Sequence, residues 1–317
     1  MRTTHITNLA RLPEVHEAFS RKDLRRVCEA DEHSFWQAYD MEFFSVPEQP
    51  APDNFYLYKN NGSNILAVAH LDTVGHADDR ACRFVTTEGA GTVVFSRALD
   101  DRLGAYIILE LLPKLGIKYD ILLTVGEESG RSTAAYFDMP DGKQYDYMIE
   151  FDRGGTDVVM YQYDDMEVRD LVKRCGARVG DGSFSDISYL GHLGIKGFNW
   201  GVGYQDYHGP RAHAFLDDTF MMVAKYLKFA EQNEGVYMPH YEADEPWYMQ
   251  SSRKRQSAWW DDDDYCEGPD DRHTFDYLAD DPDYDPLDDP DMPDYNEYPS
   301  LRDLQRVIDV VVGQPNT

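Results

Sequence analysis

The chain has 317 residues, of which 42% are hydrophobic, so it is long enough for one large domain or two small ones with a sizeable core. Its formal net charge of −29 disfavours binding to nucleic-acid phosphates, because such binding needs clustered Lys and Arg. The charge is uneven, since residues 261–297 hold 17 acidic residues and one basic residue, a net charge of −16.

The cysteines and the apolar runs bear on the cellular compartment of the protein. The four cysteines are scattered and form no Cys-x-x-Cys pair, which argues against a disulfide scaffold and a structural zinc site and favours a reducing environment. The N-terminus lacks the apolar run of a signal peptide. No stretch approaches the ~20 apolar residues that a membrane helix needs. We therefore expect a soluble, cytoplasmic protein that binds neither nucleic acid nor membrane.

Apolar runs alternate with turn residues through the first part of the chain. A helical segment is predicted at residues 1–45 and a Pro-rich connector at residues 47–53. Two strands follow at residues 55–59 and 65–69, and a second strand pair at residues 82–87 and 92–96. An apolar helix is predicted at residues 105–112. Between the first two strands, Asn60, Asn61 and Gly62 tolerate positive φ, which predicts a β-hairpin or a tight strand connection.

Strands and helices continue to alternate through the second part. Strands are predicted at residues 119–125, 145–151, 158–163 and 196–200, and helices at residues 131–137, 166–175, 185–191 and 217–232. The third of these strands is expected to pair beside the second. This alternation indicates an α/β fold built on a mixed, largely parallel sheet.

The character of the sequence changes after about residue 243. Residues 243–298 are dominated by Asp, Pro and Tyr, and this density of charge predicts an acidic, disordered segment. Apolar residues then recur at helical spacing from Leu301 to Val311, which predicts a terminal amphipathic helix over residues 299–313. That helix would dock on the body of the protein or bind a partner protein.

The first candidate site residues stand at the end of an apolar strand. His70 and Asp72 follow the predicted strand at residues 65–69, and ligands of open α/β sheets bind just outside the carboxyl ends of the strands. Asp72 has the spacing to accept a hydrogen bond from the imidazole and to fix its tautomer. A motif this short also occurs by chance, as an incidental His beside a turn Asp.

Further ligand-type residues follow the later strands. Asp100, Glu127, Glu128 and Asp152 stand at strand ends, and His208 lies in a loop after a fifth strand. Each has a plain structural explanation, because acids favour helix N-termini and Asp is common in turns. Their common placement favours a two-metal site that holds zinc, cobalt or manganese. A Glu that is not a ligand could act as the general base.

Six short motifs follow one another along the chain. They are Ala69-His70-Leu71-Asp72-Thr73-Val74, Ala98-Leu99-Asp100-Asp101-Arg102-Leu103-Gly104, Gly126-Glu127-Glu128-Ser129-Gly130, Asp152-Arg153-Gly154-Gly155, Ser185-Asp186 and Tyr207-His208-Gly209-Pro210. In this order they resemble the co-catalytic di-zinc exopeptidases, a clan with secreted-type leucyl aminopeptidases, peptidase T and glutamyl aminopeptidase relatives. The resemblance covers about residues 55–232 and implies a three-layer sandwich with helices on both faces of the sheet.

The resemblance also implies a centre with two divalent metal ions. The implied ligands are His70, Asp100 and Asp152 for the first ion, and Asp100, Glu128 and His208 for the second. Asp72 would orient His70, and Glu127 would be the general base and acid. A water between the ions would lose its proton to Glu127 and attack the amide carbon.

Two departures from the clan bear on this comparison. Only 55 residues separate Asp152 from His208, so the lid or dimerisation insert of many relatives is missing. We therefore expect a single catalytic domain over residues 1–242. His213 is a rival for the last ligand position, and the motif context favours His208.

We expect a metal-dependent hydrolase of peptide or amide bonds. The preferred interpretation is an aminopeptidase that acts on short peptides. The alternative among enzymes is a carboxypeptidase or an N-acyl-amino-acid deacylase that uses the same centre. The alternative outside enzymes is an interaction protein that acts through its acidic tail. A complete ligand set together with Glu127 favours an enzyme, because a scaffold has no need of a general base.

Overall fold

A computed structural model of the protein describes four stretches of the chain, residues 9–46, 54–74, 80–87 and 91–241. Three predictions lie outside these residues: the connector at residues 47–53, the acidic segment at residues 243–298 and the terminal helix at residues 299–313. Within the described stretches, no helix is long and apolar enough to cross a bilayer.

Short helices and strands alternate along the described chain. The helices are α1 (Leu12–Ala18), α2 (Arg21–Glu29), α3 (Phe35–Ala38), α4 (Leu99–Tyr106), α5 (Leu112–Lys114), α6 (Met166–Arg174) and α7 (Leu216–Gln232). The strands are β1 (Glu42–Ser45), β2 (Phe55–Lys59), β3 (Ile65–His70), β4 (Arg83–Thr87), β5 (Gly91–Phe95), β6 (Asp120–Thr124), β7 (Tyr147–Glu150), β8 (Asp157–Val159), β9 (Arg178–Val179), β10 (Gly197–Trp200), β11 (Tyr204–Gln205) and β12 (His213–Phe215). A π-helical turn joins α4 to α5, and 3₁₀ segments occupy Thr133–Tyr136 and Asp186–Leu193.

Eight strands form the main sheet, in the order β1-β2-β6-β3-β7-β10-β8-β9. The central neighbours β6, β3, β7 and β10 run parallel to one another. Antiparallel pairs lie on either side of them, β1 with β2, β2 with β6 and β8 with β10. The other four strands form a second, antiparallel sheet in the order β11-β12-β5-β4. The predicted mixed, largely parallel sheet is thus confirmed.

Helices cover both faces of the main sheet. A Cβ atom on Gly197 of β10 would lie 3.1 Å from the side chain of Ile187, which belongs to the 3₁₀ segment Asp186–Leu193. The next residue, Phe198, packs on Phe229 of α7 with ring centroids 4.9 Å apart. Successive residues of a strand point to opposite faces, so these two helical layers lie on opposite sides. The three-layer α/β sandwich is confirmed.

Three details of the predicted topology are wrong. Of the two alternatives for residues 60–64, the short strand connection is present and the β-hairpin is wrong, because β6 lies between β2 and β3 and gives the buried strand β3 a neighbour on each side. β8 does not pair beside β7, because the fully buried strand β10 occupies that place. Glu42–Ser45, predicted as helix, is strand β1, where Phe44 stacks on Tyr56 of β2 at 4.8 Å. Cross-strand aromatic pairs outweigh helix propensity there.

A buried carboxylate stabilises the amino end of β6, at the opposite end of this strand from the site described below. The Asp120 carboxylate accepts hydrogen bonds from the hydroxyls of Tyr58 and Tyr145, both at 3.0 Å, and from two backbone N–H groups. Lys143 Nζ lies 2.6 Å away. Burial alone would raise the pKa of Asp120, but the bond from Lys143 and the other donors lower it below its ordinary value.

Asp120→Asn is expected to destabilise the protein by about 3–5 kcal/mol at pH 7, because the carboxylate is fully buried and accepts four hydrogen bonds beside Lys143, whereas an Asn amide carries no charge and would turn a donor toward these donors. The pKa of Asp120 is lower in the folded state, so its contribution is present above the unfolded pKa and is lost as the pH falls through the folded pKa. Urea unfolding at pH 7 and at a series of lower pH values measures both effects.

The matched control is Asp165→Asn, at a more exposed ion pair with Lys196. Asp165 caps α6, and Asn caps helices about as well as Asp does. The free energy of unfolding of this variant is therefore expected to fall by less than about 1 kcal/mol. A similar loss of unfolding free energy in the two variants would contradict the larger stabilising contribution expected of Asp120.

Candidate metal centre

Three neighbouring strands of the main sheet end at one edge. His70 is the last residue of β3, Glu127 and Glu128 follow β6, and Asp152 follows β7. These strands are parallel neighbours with buried interiors, so their carboxyl ends lie side by side. The residues just beyond them therefore place their polar side chains together at this edge.

The other two predicted ligands reach the same edge from the second sheet. Asp100 lies at the start of α4, after β5, and His208 lies in the loop between β11 and β12. His208 has a φ of 64°, a left-handed conformation that is uncommon for residues other than glycine. Its Nε2 lies 3.0 Å from Asp100 Oδ2 and 2.9 Å from Glu128 Oε2. The structure thus brings one histidine and two carboxylates into direct contact.

His70 faces the remaining carboxylates from the main sheet. Its side chain is fully buried, and its Nε2 lies 3.4 Å from Asp100 Oδ1. The same nitrogen lies 3.7 Å from Asp152 Oδ1 and 3.8 Å from Glu127 Oε2. Asp100 therefore stands between the two histidines, with a different oxygen directed to each of them.

Asp72 contacts His70 mainly through its backbone. The Nδ1 of His70 lies 2.9 Å from the carbonyl oxygen of Asp72 and 3.5 Å from its carboxylate. The carboxylate instead accepts the backbone N–H of Glu128 at 3.1 Å. The fully buried Arg102 stabilises the turn after β3, because its Nε donates a hydrogen bond to the carbonyl of Leu71 at 2.7 Å. The expected orientation of the imidazole is present, with a different acceptor atom.

Burial and the crowding of carboxylates shift several pKa values. Burial raises the pKa of Glu127 to about 8, and burial together with the charge of Asp100 raises that of Asp152 to about 6. Burial alone would raise the pKa of Asp100, but the hydrogen bond from His208 and the nearby imidazole of His70 lower it. The bond to Asp100 is the largest cause that raises the pKa of His208 to about 10.

These groups fit a bound cation. A backbone carbonyl can only accept, so Nδ1 of His70 carries a proton, and the neutral form of the ring would offer the lone pair of Nε2 to a cation. That Nε2 is buried, faces three carboxylates and has no hydrogen-bond partner among the described residues. Glu128 Oε1 is also buried and has no hydrogen-bond partner there. Ligands about 2.0–2.2 Å from one tetrahedral zinc are about 3.3–3.6 Å apart, and His70 Nε2 lies 3.4 Å from Asp100 Oδ1.

Three residues without a predicted role hold Asp152. Its Oδ1 accepts from the hydroxyl of Tyr204 at 2.9 Å, and its Oδ2 lies 3.1 Å from the hydroxyl of Ser185. The amide of Asn199 bonds both the N–H and the carbonyl of Asp152, at 3.0 and 2.7 Å. Asn199 could have been noticed as a polar residue in the otherwise apolar strand β10. Tyr204 lies in a two-residue strand and offers no such signal.

His213 lies away from the carboxylates. It belongs to β12, and its ring packs between Phe95 and Phe215 with centroid distances of 5.6 and 5.4 Å. Its side chain is buried among these apolar neighbours. His208, and not His213, contacts Asp100.

The fold is similar to those of solved peptidase structures. Aminopeptidase PepT from Bacillus cereus has 14% identity and a TM-score of 0.46 over 71% of this chain and 99% of its own. A tripeptidase from Staphylococcus aureus has 12% identity and a TM-score of 0.47 over 70% of this chain and 97% of its own. An aminopeptidase from the archaeon Desulfurococcus kamchatkensis has 14% identity and a TM-score of 0.41 over 74% and 96%.

Comparison by sequence gives no relative. No family model matches the chain, and no curated protein matches it. The chemistry of the site therefore rests on the side chains described above.

Proposed function

We propose that the protein is a metal-dependent aminopeptidase that hydrolyses short peptides. The observation that carries this proposal is the placement of Asp100 between two histidines. Its Oδ1 faces His70 at 3.4 Å, and its Oδ2 faces His208 at 3.0 Å. A carboxylate that shares its two oxygens between two such groups is suited to bridge a pair of divalent ions.

The surrounding residues complete the two ligand sets. His70, Asp100 and Asp152 would hold one ion, and Asp100, Glu128 and His208 would hold the other. Imidazole and carboxylate ligands suit zinc best, with cobalt or manganese as alternatives. The ligand atoms of His70, Asp100 and Glu128 lie within 4.8 Å of one another, which supports a compact centre.

Glu127 is the residue we assign to proton transfer. When bound, divalent ions supply Lewis acidity and lower the pKa of a coordinated water. The Glu127 carboxylate lies beside the centre, 3.8 Å from His70 Nε2, and burial raises its pKa to about 8. A carboxylate beside a coordinated water can accept its proton and return it to the leaving amine.

Metal content and substrate preference together test this function. The purified full chain should bind about two divalent ions, and chelation should abolish hydrolysis until zinc, cobalt or manganese is restored. Peptides with a free N-terminus should be cleaved, and the same peptides with an acetylated N-terminus should not. Elemental analysis showing no bound metal after incubation with all three ions would overturn the proposal.

The same panel separates the alternatives. Cleavage that needs a free C-terminus would indicate a carboxypeptidase, and release of the acyl group from N-acyl amino acids would indicate a deacylase. Two bound ions without hydrolysis of any of these substrates would favour an interaction protein that keeps an inactive centre.

We also propose that residues 1–242 form the catalytic unit and that residues 243–313 serve a protein partner. Every proposed site residue lies before residue 209, and the last described pairing joins Ile195 to Pro239. Cytoplasmic localisation is part of this proposal. The described cysteines are free thiols, which supports a reducing compartment.

A further inference from the structure

The hydroxyl of Tyr204 lies between two of the proposed ligands. It donates to Asp152 Oδ1 at 2.9 Å and lies 3.3 Å from Asp100 Oδ1. These are the same two oxygens that face His70 Nε2. The other oxygen of Asp100 faces His208 instead. Tyr204 therefore borders only the half of the centre that contains His70.

The backbone holds Tyr204 in place from two sides. On one side β11 pairs with β12, with Tyr204 opposite Ala214. On the other side Tyr204 forms a parallel bridge to Gly154, which follows Asp152 by two residues. A Cβ atom on Gly154 would lie 3.0 Å from the carbonyl oxygen of Tyr204, so glycine permits this close approach. The ring is nearly buried, and its hydroxyl has a fixed position rather than an adaptable one.

Asp152 is constrained at its other atoms as well. Ser185 contacts its Oδ2, and Asn199 bonds its backbone N–H and carbonyl. The carboxylate therefore has little freedom to turn, and the bond from Tyr204 fixes the oxygen that faces His70. Such outer partners orient metal ligands, and their loss typically costs about 10–100-fold in metal affinity or activity.

We propose that Tyr204 is a positioning residue for one of the two ions, the one held by His70, Asp100 and Asp152. Its hydroxyl fixes the inward oxygen of Asp152 through the hydrogen bond and borders that of Asp100, and it thereby raises the affinity for that ion. The ion held by Glu128 and His208 depends on it much less. This inference rests on the proposed function, because it presumes two bound ions.

Zinc titration of Tyr204→Phe tests the proposal without any measurement of activity. The full chain is stripped by chelation and titrated with zinc against a chromophoric competitor, and a cobalt titration follows the two sites by their absorption bands. One of the two dissociation constants should rise about 10–100-fold, and the other should change less than about 3-fold. Phe keeps the ring that packs against Tyr207, so we expect the fold to be retained, and thermal melting verifies it.

The matched control is Tyr119→Phe, which removes another buried tyrosine hydroxyl. That hydroxyl donates to the carbonyl of Ile108 at 2.6 Å. Tyr119 directly precedes β6, so it lies at the opposite end of this strand from the carboxyl edge. The control should lower the melting temperature and leave both zinc affinities unchanged. Ser185→Ala, at the other oxygen of Asp152, should weaken the same ion as Tyr204→Phe.

The outcomes separate the two proposals. If Tyr204→Phe binds both ions like the wild type, or if both affinities fall equally, the positioning role of Tyr204 is overturned and the proposed function stands. Weakening of the opposite ion by Ser185→Ala would also overturn it. If the wild type binds no zinc at all, the proposed function fails, and the role of Tyr204 fails with it.

Discussion

Glu127→Gln is expected to lower turnover by about 10²–10⁴-fold while the protein keeps its fold and both metal ions. Gln has nearly the same shape as Glu but cannot accept a proton. Glu127 lies 3.8 Å from His70 Nε2, further from its histidine than Glu128 Oε2 lies from His208, at 2.9 Å. We therefore assign Glu127 to proton transfer and Glu128 to metal binding. Steady-state turnover on the best peptide substrate and elemental analysis of the purified variant measure the two halves of this expectation.

The neighbouring variant Glu128→Gln is the control for this assignment. Both substitutions remove one carboxylate from the same loop, so they have similar effects on net charge. Glu128→Gln should lower the metal content toward one ion, because its carboxylate contacts His208 beside Asp100. If instead Glu127→Gln lost an ion and Glu128→Gln kept both, the two glutamates would have each other's roles.

The residues brought together at the candidate metal centre were largely predictable because their placement is local. His70 and Asp152 stand directly beyond apolar runs, and a buried strand ends where the first polar side chains appear. Parallel neighbours then bring such ends to one edge without further information. The same reasoning placed Asp100 at a strand end, although that strand, β5, belongs to a second sheet that was not predicted.

Features that depend on distant pairing were not predictable. The insertion of β6 between β2 and β3 joins strands separated by about fifty residues, and no local pattern marks it. β9, β11 and β12 contain two or three residues each, too few to show a strand period. Tyr204 reaches Asp152 only because one of these short strands fixes its backbone. The residues that hold ligands in place are therefore harder to predict than the ligands.

Asp72 shows a different limit of prediction. Spacing alone correctly places it against the ring of His70, but it does not decide between the carboxylate and the backbone carbonyl. The nearer acceptor is the carbonyl, at 2.9 Å, and the carboxylate accepts the N–H of Glu128 instead. The first bond lies within the turn after β3, and the second links that turn to the loop after β6. Asp72 thus joins the two halves of the centre and does not orient one histidine alone.

The contrast between His208 and His213 gives the second large expected effect. His208→Ala should remove one of the two ions and lower turnover by at least about 100-fold, because loss of a ligand should cost no less than loss of an outer partner. The Nε2 of His208 contacts both Asp100 and Glu128, whereas the ring of His213 lies between Phe95 and Phe215. Elemental analysis and turnover of the two alanine variants measure the difference.

His213→Ala should have the opposite effect. It removes a buried ring from an apolar site, which is expected to destabilise the protein by about 1–3 kcal/mol and to leave two ions bound. Zinc should raise the melting temperature of His213→Ala by about as much as that of the wild type, because an ion that binds only the folded state stabilises it. The rise should be smaller for His208→Ala. Loss of an ion from His213→Ala, with two ions kept by His208→Ala, would reverse the assignment of the last ligand.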